Sequence, residues 1–183
     1  MNDRAIGLIE LSSVAAGFLV ADTMLKAADV KLLLSRSICS GKYMVLIGGD
    51  VAAVGSAVHA GCTAAKGGLI DQFVIPRVHP DVFAALGRSH PPEPGGALGI
   101  LEAFNIATLI EAADAAVKAA RVTLIEIRLA MALGGKAFAT LTGDVSSVQA
   151  AIDAGRAVIA EAGLLVNAVV IPRPHPDVYH EVV

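Results

Sequence analysis

The chain repeats itself, which limits it to folds that use one module twice. Ile6-Gly7-Leu8-Ile9-Glu10 matches Leu98-Gly99-Ile100-Leu101-Glu102, and Asp22, Lys26, Ala27 and Ala28 match Asp114, Lys118, Ala119 and Ala120. Gly41-Lys42 matches Gly135-Lys136, and Gly49-Asp50-Val51 matches Gly143-Asp144-Val145. Ile75-Pro76-Arg77 and His79-Pro80-Asp81-Val82 return as Ile171-Pro172-Arg173 and His175-Pro176-Asp177-Val178. The blocks keep their order, and the spacing between partners lengthens in two small steps that fall between blocks. Residues 87–96 are rich in Pro and Gly, which break helices and strands. The domains are therefore expected at 1–88 and 96–183, with 89–95 as the linker.

Each copy reads as β-α-β-β-α-β. In the first, an apolar strand over 5–11 is followed by the capping residues Ser12 and Ser13 and a helix to about 28. Val14, Phe18, Ala21 and Leu25 fall at helical spacing and predict its inward face. Strands are expected over 31–37, 43–48 and 69–75, with Asp50 capping a second helix. The second copy repeats this with strands over 96–103, 122–130, 136–142 and 164–171 and helices over 105–120 and 144–162. The order is that of an α+β, ferredoxin-like α/β sandwich, each copy beginning with its own first strand and so not circularly permuted. That fold hosts many activities, so function must come from particular residues.

Composition removes several classes. Of the 183 residues 55% are hydrophobic and only 4% aromatic, with a mean hydropathy of +0.68. So much aliphatic surface on two small domains points to burial against other subunits. Membrane spanning is not expected: the longest charge-free run, 51–65, is short of the roughly 20 apolar residues a span requires. A net charge of -3 argues against nucleic acid as a partner. No signal-peptide core follows Asp3 and Arg4, and two cysteines do not make a disulfide scaffold, so a reducing cytoplasm is expected. No enzyme is expected. Glu10 and Glu102 recur once per copy, a structural pattern rather than an acid–base pair, and neither a nucleophile elbow nor a metal-spaced His/Cys set is present.

The ordered set of blocks resembles the bacterial microcompartment shell proteins, over nearly the whole chain and twice. Two copies in one chain are similar to the tandem-domain class of that family, which implies a homotrimer shaped like a hexamer. Such a pseudohexamer tiles a shell edge to edge with other shell proteins in the bacterial cytoplasm. The resemblance places Lys26 and Lys118 at the tile edge, with Arg77 and Arg173 reaching across it; the plainer reading is four surface cations. His79 and His175, each in a His-Pro-Asp setting after a strand, are expected to form turns rather than ligate metal.

The copies differ most in the loop before Gly-Lys, Ile38-Cys39-Ser40-Gly41 against 130–133 followed by Gly134-Gly135. In the shell family this loop lines the central pore, so a trimer brings three Cys39 thiols to one axis. That is similar to an iron–sulfur-binding tandem member. It implies one [4Fe-4S] cluster per trimer, held by Cys39 of each chain, carrying electrons across the shell to or from an encapsulated redox enzyme. Soft thiolates suit such a cluster. Two alternatives stand beside it: a metal-free tile whose pore passes a small metabolite, and a ferredoxin-like regulatory module binding a small ligand. Cys62, inside the second helix, is expected to pack as a small hydrophobe.

Overall fold

The computed structural model describes residues 5–86, 96–129 and 134–181. They fall into two compact units, 1–78 and 79–183. The sequence expectation drew the first domain on to 88, but the helix after the first copy groups with the second unit; 87–95 lie outside the described residues.

In the first unit β1 (Ala5–Leu11), α1 (Val14–Ala27), β2 (Val30–Ile38), β3 (Lys42–Gly49), α2 (Val51–Ala65) and β4 (Leu69–Pro76) give a four-stranded sheet in the order β2-β3-β1-β4. All its pairings are antiparallel. After α3 (Pro80–Leu86), the second unit repeats the plan with β5 (Ala97–Ala103), α4 (Ile106–Ala119), β6 (Thr123–Leu129), β7 (Ala137–Gly143), α5 (Val145–Glu161) and β8 (Leu165–Ile171), in the order β6-β7-β5-β8. A short α6 (Pro176–Glu181) ends it. The expected βαββαβ order is present twice and unpermuted.

Local chemistry sets the helix starts. Ser13, Asp50, Asn105 and Asp144 stand at the N-caps in extended backbone, and each side chain accepts an N–H from the first turn. Such a cap contributes about 1 kcal/mol. Irregularities also repeat: the β2–β3 register slips between Leu32 and Leu34, and β6–β7 slips between Leu124 and Glu126. A slip that returns in both copies belongs to the module's design.

Two expectations are corrected. The buried stripe of α1 runs through Gly17, Val20, Ala21 and Met24, while Val14, Phe18 and Leu25 are exposed. Because α1 is apolar on two faces, spacing alone could not choose the inward one. The His-Pro-Asp segments are helix starts rather than simple turns: Nδ1 of His79 accepts the Asp81 N–H at 3.3 Å, and Nδ1 of His175 accepts that of Asp177 at 3.3 Å. Pro80 and Pro176 then open α3 and α6, where a missing N–H costs nothing.

Candidate functional site

The loop that carries Cys39 is short and anchored at both ends. β2 closes with Ile38, which is buried and pairs with Lys42 at the start of β3. Between them Cys39–Gly41 form one 3-10 turn. Gly41 ends the turn at φ +71°, a left-handed conformation that glycine takes without strain. A Cβ there would meet nothing within 4 Å. Within the chain the glycine is thus needed for its backbone angle.

The second copy makes the corresponding exit from its loop with Gly134 at φ +62° and Gly135 at φ +90°. Residues 130–133, the part of this loop that differs most from the first, lie outside the described residues.

A residue pair missed at the sequence level fixes both exits. Lys42 Nζ donates to Glu10 Oε1 at 2.8 Å, and Lys136 Nζ donates to Glu102 Oε1 at 2.5 Å. Each ties the first residues after the loop to the central strand of its sheet. The repeat carried the signal, since Ile-Glu or Leu-Glu and Gly-Lys recur in both copies, but the two blocks are distant in sequence and only the fold joins them.

Cys39 and Cys62 are half-buried, and neither is in a disulfide. Cys62 packs beside the helix-side core of the first unit, with its thiol 3.6 Å from Gln72 Oε1. Burial pushes this thiol's pKa above its ordinary value, which fits a packing role. Among the described residues no group of three or more His, Cys, Asp or Glu side chains is placed to hold a metal. One chain therefore brings one soft donor to the Cys39 loop.

The four edge candidates are all on the surface or close to it. Lys26, in the last turn of α1, donates to Asp22 at 2.6 Å, and both are exposed. Lys118 donates to Asp114 at 2.5 Å in the same i, i+4 geometry, but Asp114 is buried and also accepts the His79 N–H at 2.7 Å. Arg77 and Arg173 are exposed after β4 and β8, and Arg77 takes φ +56°, which is uncommon for a residue with a side chain. No helix among the described residues is long and apolar enough to cross a membrane.

The BMC domain model matches residues 5–78 and again 97–174. This chain belongs to the BMC-domain family. It is 42% identical to the bacterial microcompartment shell protein PduT of Citrobacter freundii over 98% of both chains. The shell protein EutM of Escherichia coli K12 is 48% identical over 44% of this chain and 81% of its own, as a one-domain relative of a two-domain chain should be. A solved microcompartment protein from Desulfitobacterium hafniense superposes with a TM-score of 0.95 at 50% identity, covering 97% of this chain and 99% of that one. The fused permuted shell protein MSM0275 shares the fold at a TM-score of 0.61 and 24% identity, over 86% of this chain and 84% of its own. The BMC-domain chain described here is a bacterial microcompartment shell protein, structural rather than enzymatic, and like PduT it carries the domain twice.

Proposed function

We propose that this BMC-domain chain tiles the shell as a homotrimer, a pseudohexamer of six repeated domains, whose three Cys39 loops meet at the axis and hold one [4Fe-4S] cluster. The carrying observation is the difference between the two loops: only the first copy has a cysteine at the turn, so any axial thiol set is three-fold. The donor set fits the group. A single thiolate per chain is too few for a cluster that normally takes four, whereas three converging thiolates on a glycine-ended turn supply all but one. When bound, the cluster supplies one-electron transfer through the shell. The chain's own part is to hold Cys39 in place, which the Ile38 anchor, the Gly41 turn and the Lys42–Glu10 pair favour. The fourth iron takes a ligand from outside this set.

Edge-to-edge contact with other shell proteins rests on Lys26, Lys118, Arg77 and Arg173. The exposed cations suit a flat lateral contact in which long side chains lie over apolar surface and hydrogen-bond at the tip. A metal-free tile with an open pore is the second reading. The glycine turns that end both loops, at Gly41, Gly134 and Gly135, support it, since they carry no side chain to fill an axial opening.

The test is an iron and sulfide assay on anaerobically purified and reconstituted protein. About four iron and four sulfide per three chains are expected. Both should be lost in Cys39→Ala and kept in Cys62→Ala. Colourless wild-type protein that still forms sheets would leave the open-pore tile.

A further inference from the structure

One set of charges differs between the two copies at the end of the sheet where the loops lie. In the first unit Asp71 on β4 stands directly opposite Glu10 on β1, and Lys42 Nζ bonds Glu10. Lys42 is also the cross-strand partner of Ile38, the residue before Cys39. In the second unit Glu102 and Lys136 keep their pair, but Asn167 stands opposite Glu102. The copy that has the cysteine therefore sets two carboxylates against one ammonium, and the copy that lacks it sets one against one. Arg36 and Arg128 occupy counterpart positions and do not distinguish the copies. Like charges directly opposite on neighbouring strands destabilise a sheet, a cost the second copy avoids with Asn167. The fold alone does not call for an acid at 71.

We infer that Glu10, Asp71 and Lys42 set the reduction potential of the iron–sulfur group at Cys39, the two carboxylates lowering it and the ammonium raising it. The inference rests on the cluster proposed above and gives the extra acid of the first copy a task. Reduction adds one electron, and so one negative charge, to the thiolate-bound group, with no bond made or broken. The potential of such a group follows the charge around it. A neighbouring carboxylate opposes the added charge and an ammonium favours it. The Glu10 side chain is only 13% exposed, so water screens this set incompletely. A purely mechanical tether would work equally well with asparagine at 71, as it does at 167.

Redox titration against dithionite-reduced mediators in about 0.1 M salt, followed by electron paramagnetic resonance on anaerobically reconstituted protein, tests it. Asp71→Asn imports the residue of the second copy and leaves the Lys42–Glu10 bond in place; it should raise the midpoint potential. Glu10→Gln should raise it too, and Lys42→Met should lower it. Lys31→Met is the charge control. Lys31 is exposed near the start of β2, roughly 20 Å of strand from Ile38, and at that separation salt screens its charge. Its midpoint should match wild type. Iron per chain should stay at the wild-type level in all four. Loss of the ion pair as a tether is the same in Glu10→Gln and Lys42→Met, so only a charge effect moves them in opposite directions. Asp71→Asn keeps the test decisive if either change to the pair loosens the loop. Shifts of one sign in those two, or an unmoved midpoint in Asp71→Asn, would overturn the inference and leave the cluster in place. A wild type that binds no iron would overturn the cluster and the inference together.

Discussion

The two copies fill the same place between first helix and third strand with opposite allocations of volume. In the first, Gly17 of α1 lies against the ring of Tyr43 on β3, so closely that a Cβ would come within 2.1 Å of a ring carbon. In the second, the corresponding residues are Leu109 on α4 and Ala137 on β7, both fully buried. The polar companion changes too: Tyr43 Oη is 3.0 Å from Ser35 Oγ, and Ile127 stands where Ser35 does. The module therefore conserves the filled volume and leaves no hydroxyl at this place unsatisfied in either copy, though the residues differ, and sequence identity between copies understates how alike they are.

The comparison breaks most severely at Tyr43. Tyr43→Ala alone should cost about 3–5 kcal/mol, by loss of buried ring contacts and a cavity over Gly17. Gly17→Leu alone should cost about 1–3 kcal/mol from overpacking against the ring. Combined with Ser35→Ile, the two changes import the second copy's solution, and most of the loss should return. Urea unfolding followed by circular dichroism reads all of these. Strictly additive costs would show that the two corners are not interchangeable.

What the sequence revealed follows the same logic. Repeat, element order and helix caps were legible because each is written in local residues: Ser13, Asp50 and Asp144 announce a helix wherever they precede a run of small apolar residues. Helix α3 was not. It has seven residues, too few for a periodic pattern and too few to persist alone. Its stability comes from packing on a partner distant in sequence, so His-Pro-Asp read as a turn. The inward face of α1 failed for a related reason, since Phe18 and Leu25 are as apolar as Val20 and Met24 and only the neighbours distinguish them. The loop was half legible: Cys39 stood out by its absence from the second copy, whereas the Lys42–Glu10 tether needed the sheet to bring its ends together.

A second, smaller contrast is between Asp114 and Asp22. Asp114→Ala leaves the half-buried His79 N–H without its acceptor and removes the partner of Lys118, so about 1–3 kcal/mol should be lost. Asp22→Ala in the dissociated single chain removes only an exposed i, i+4 pair and should change stability by no more than about 0.5 kcal/mol. Equal losses in urea unfolding of dilute protein would mean that Asp114 is not supporting α3.

The smallest difference lies in the caps of α2 and α5, and pH sharpens it. Asp50 accepts the Ala52 N–H at 2.9 Å. Asp144 accepts the Ser147 N–H at 2.8 Å together with the hydroxyls of Ser146 at 2.7 Å and Ser147 at 2.9 Å. The Ser147 N–H first, then the two hydroxyls, hold the Asp144 carboxyl below its ordinary value of 3.8. A carboxyl depressed on folding stabilises the fold above its unfolded pKa, and that contribution fades as pH falls through the folded value. Asp144→Asn keeps an acceptor for the N–H but neither titrates nor accepts the hydroxyls equally well. Its urea midpoint should therefore lie slightly below wild type at about pH 7 and converge on it as pH falls through the carboxyl's lowered folded value. A gap that stays constant into acid would mean that the carboxylate's charge contributes nothing at the head of α5, and that its hydrogen bonds to the two serines matter only through their geometry.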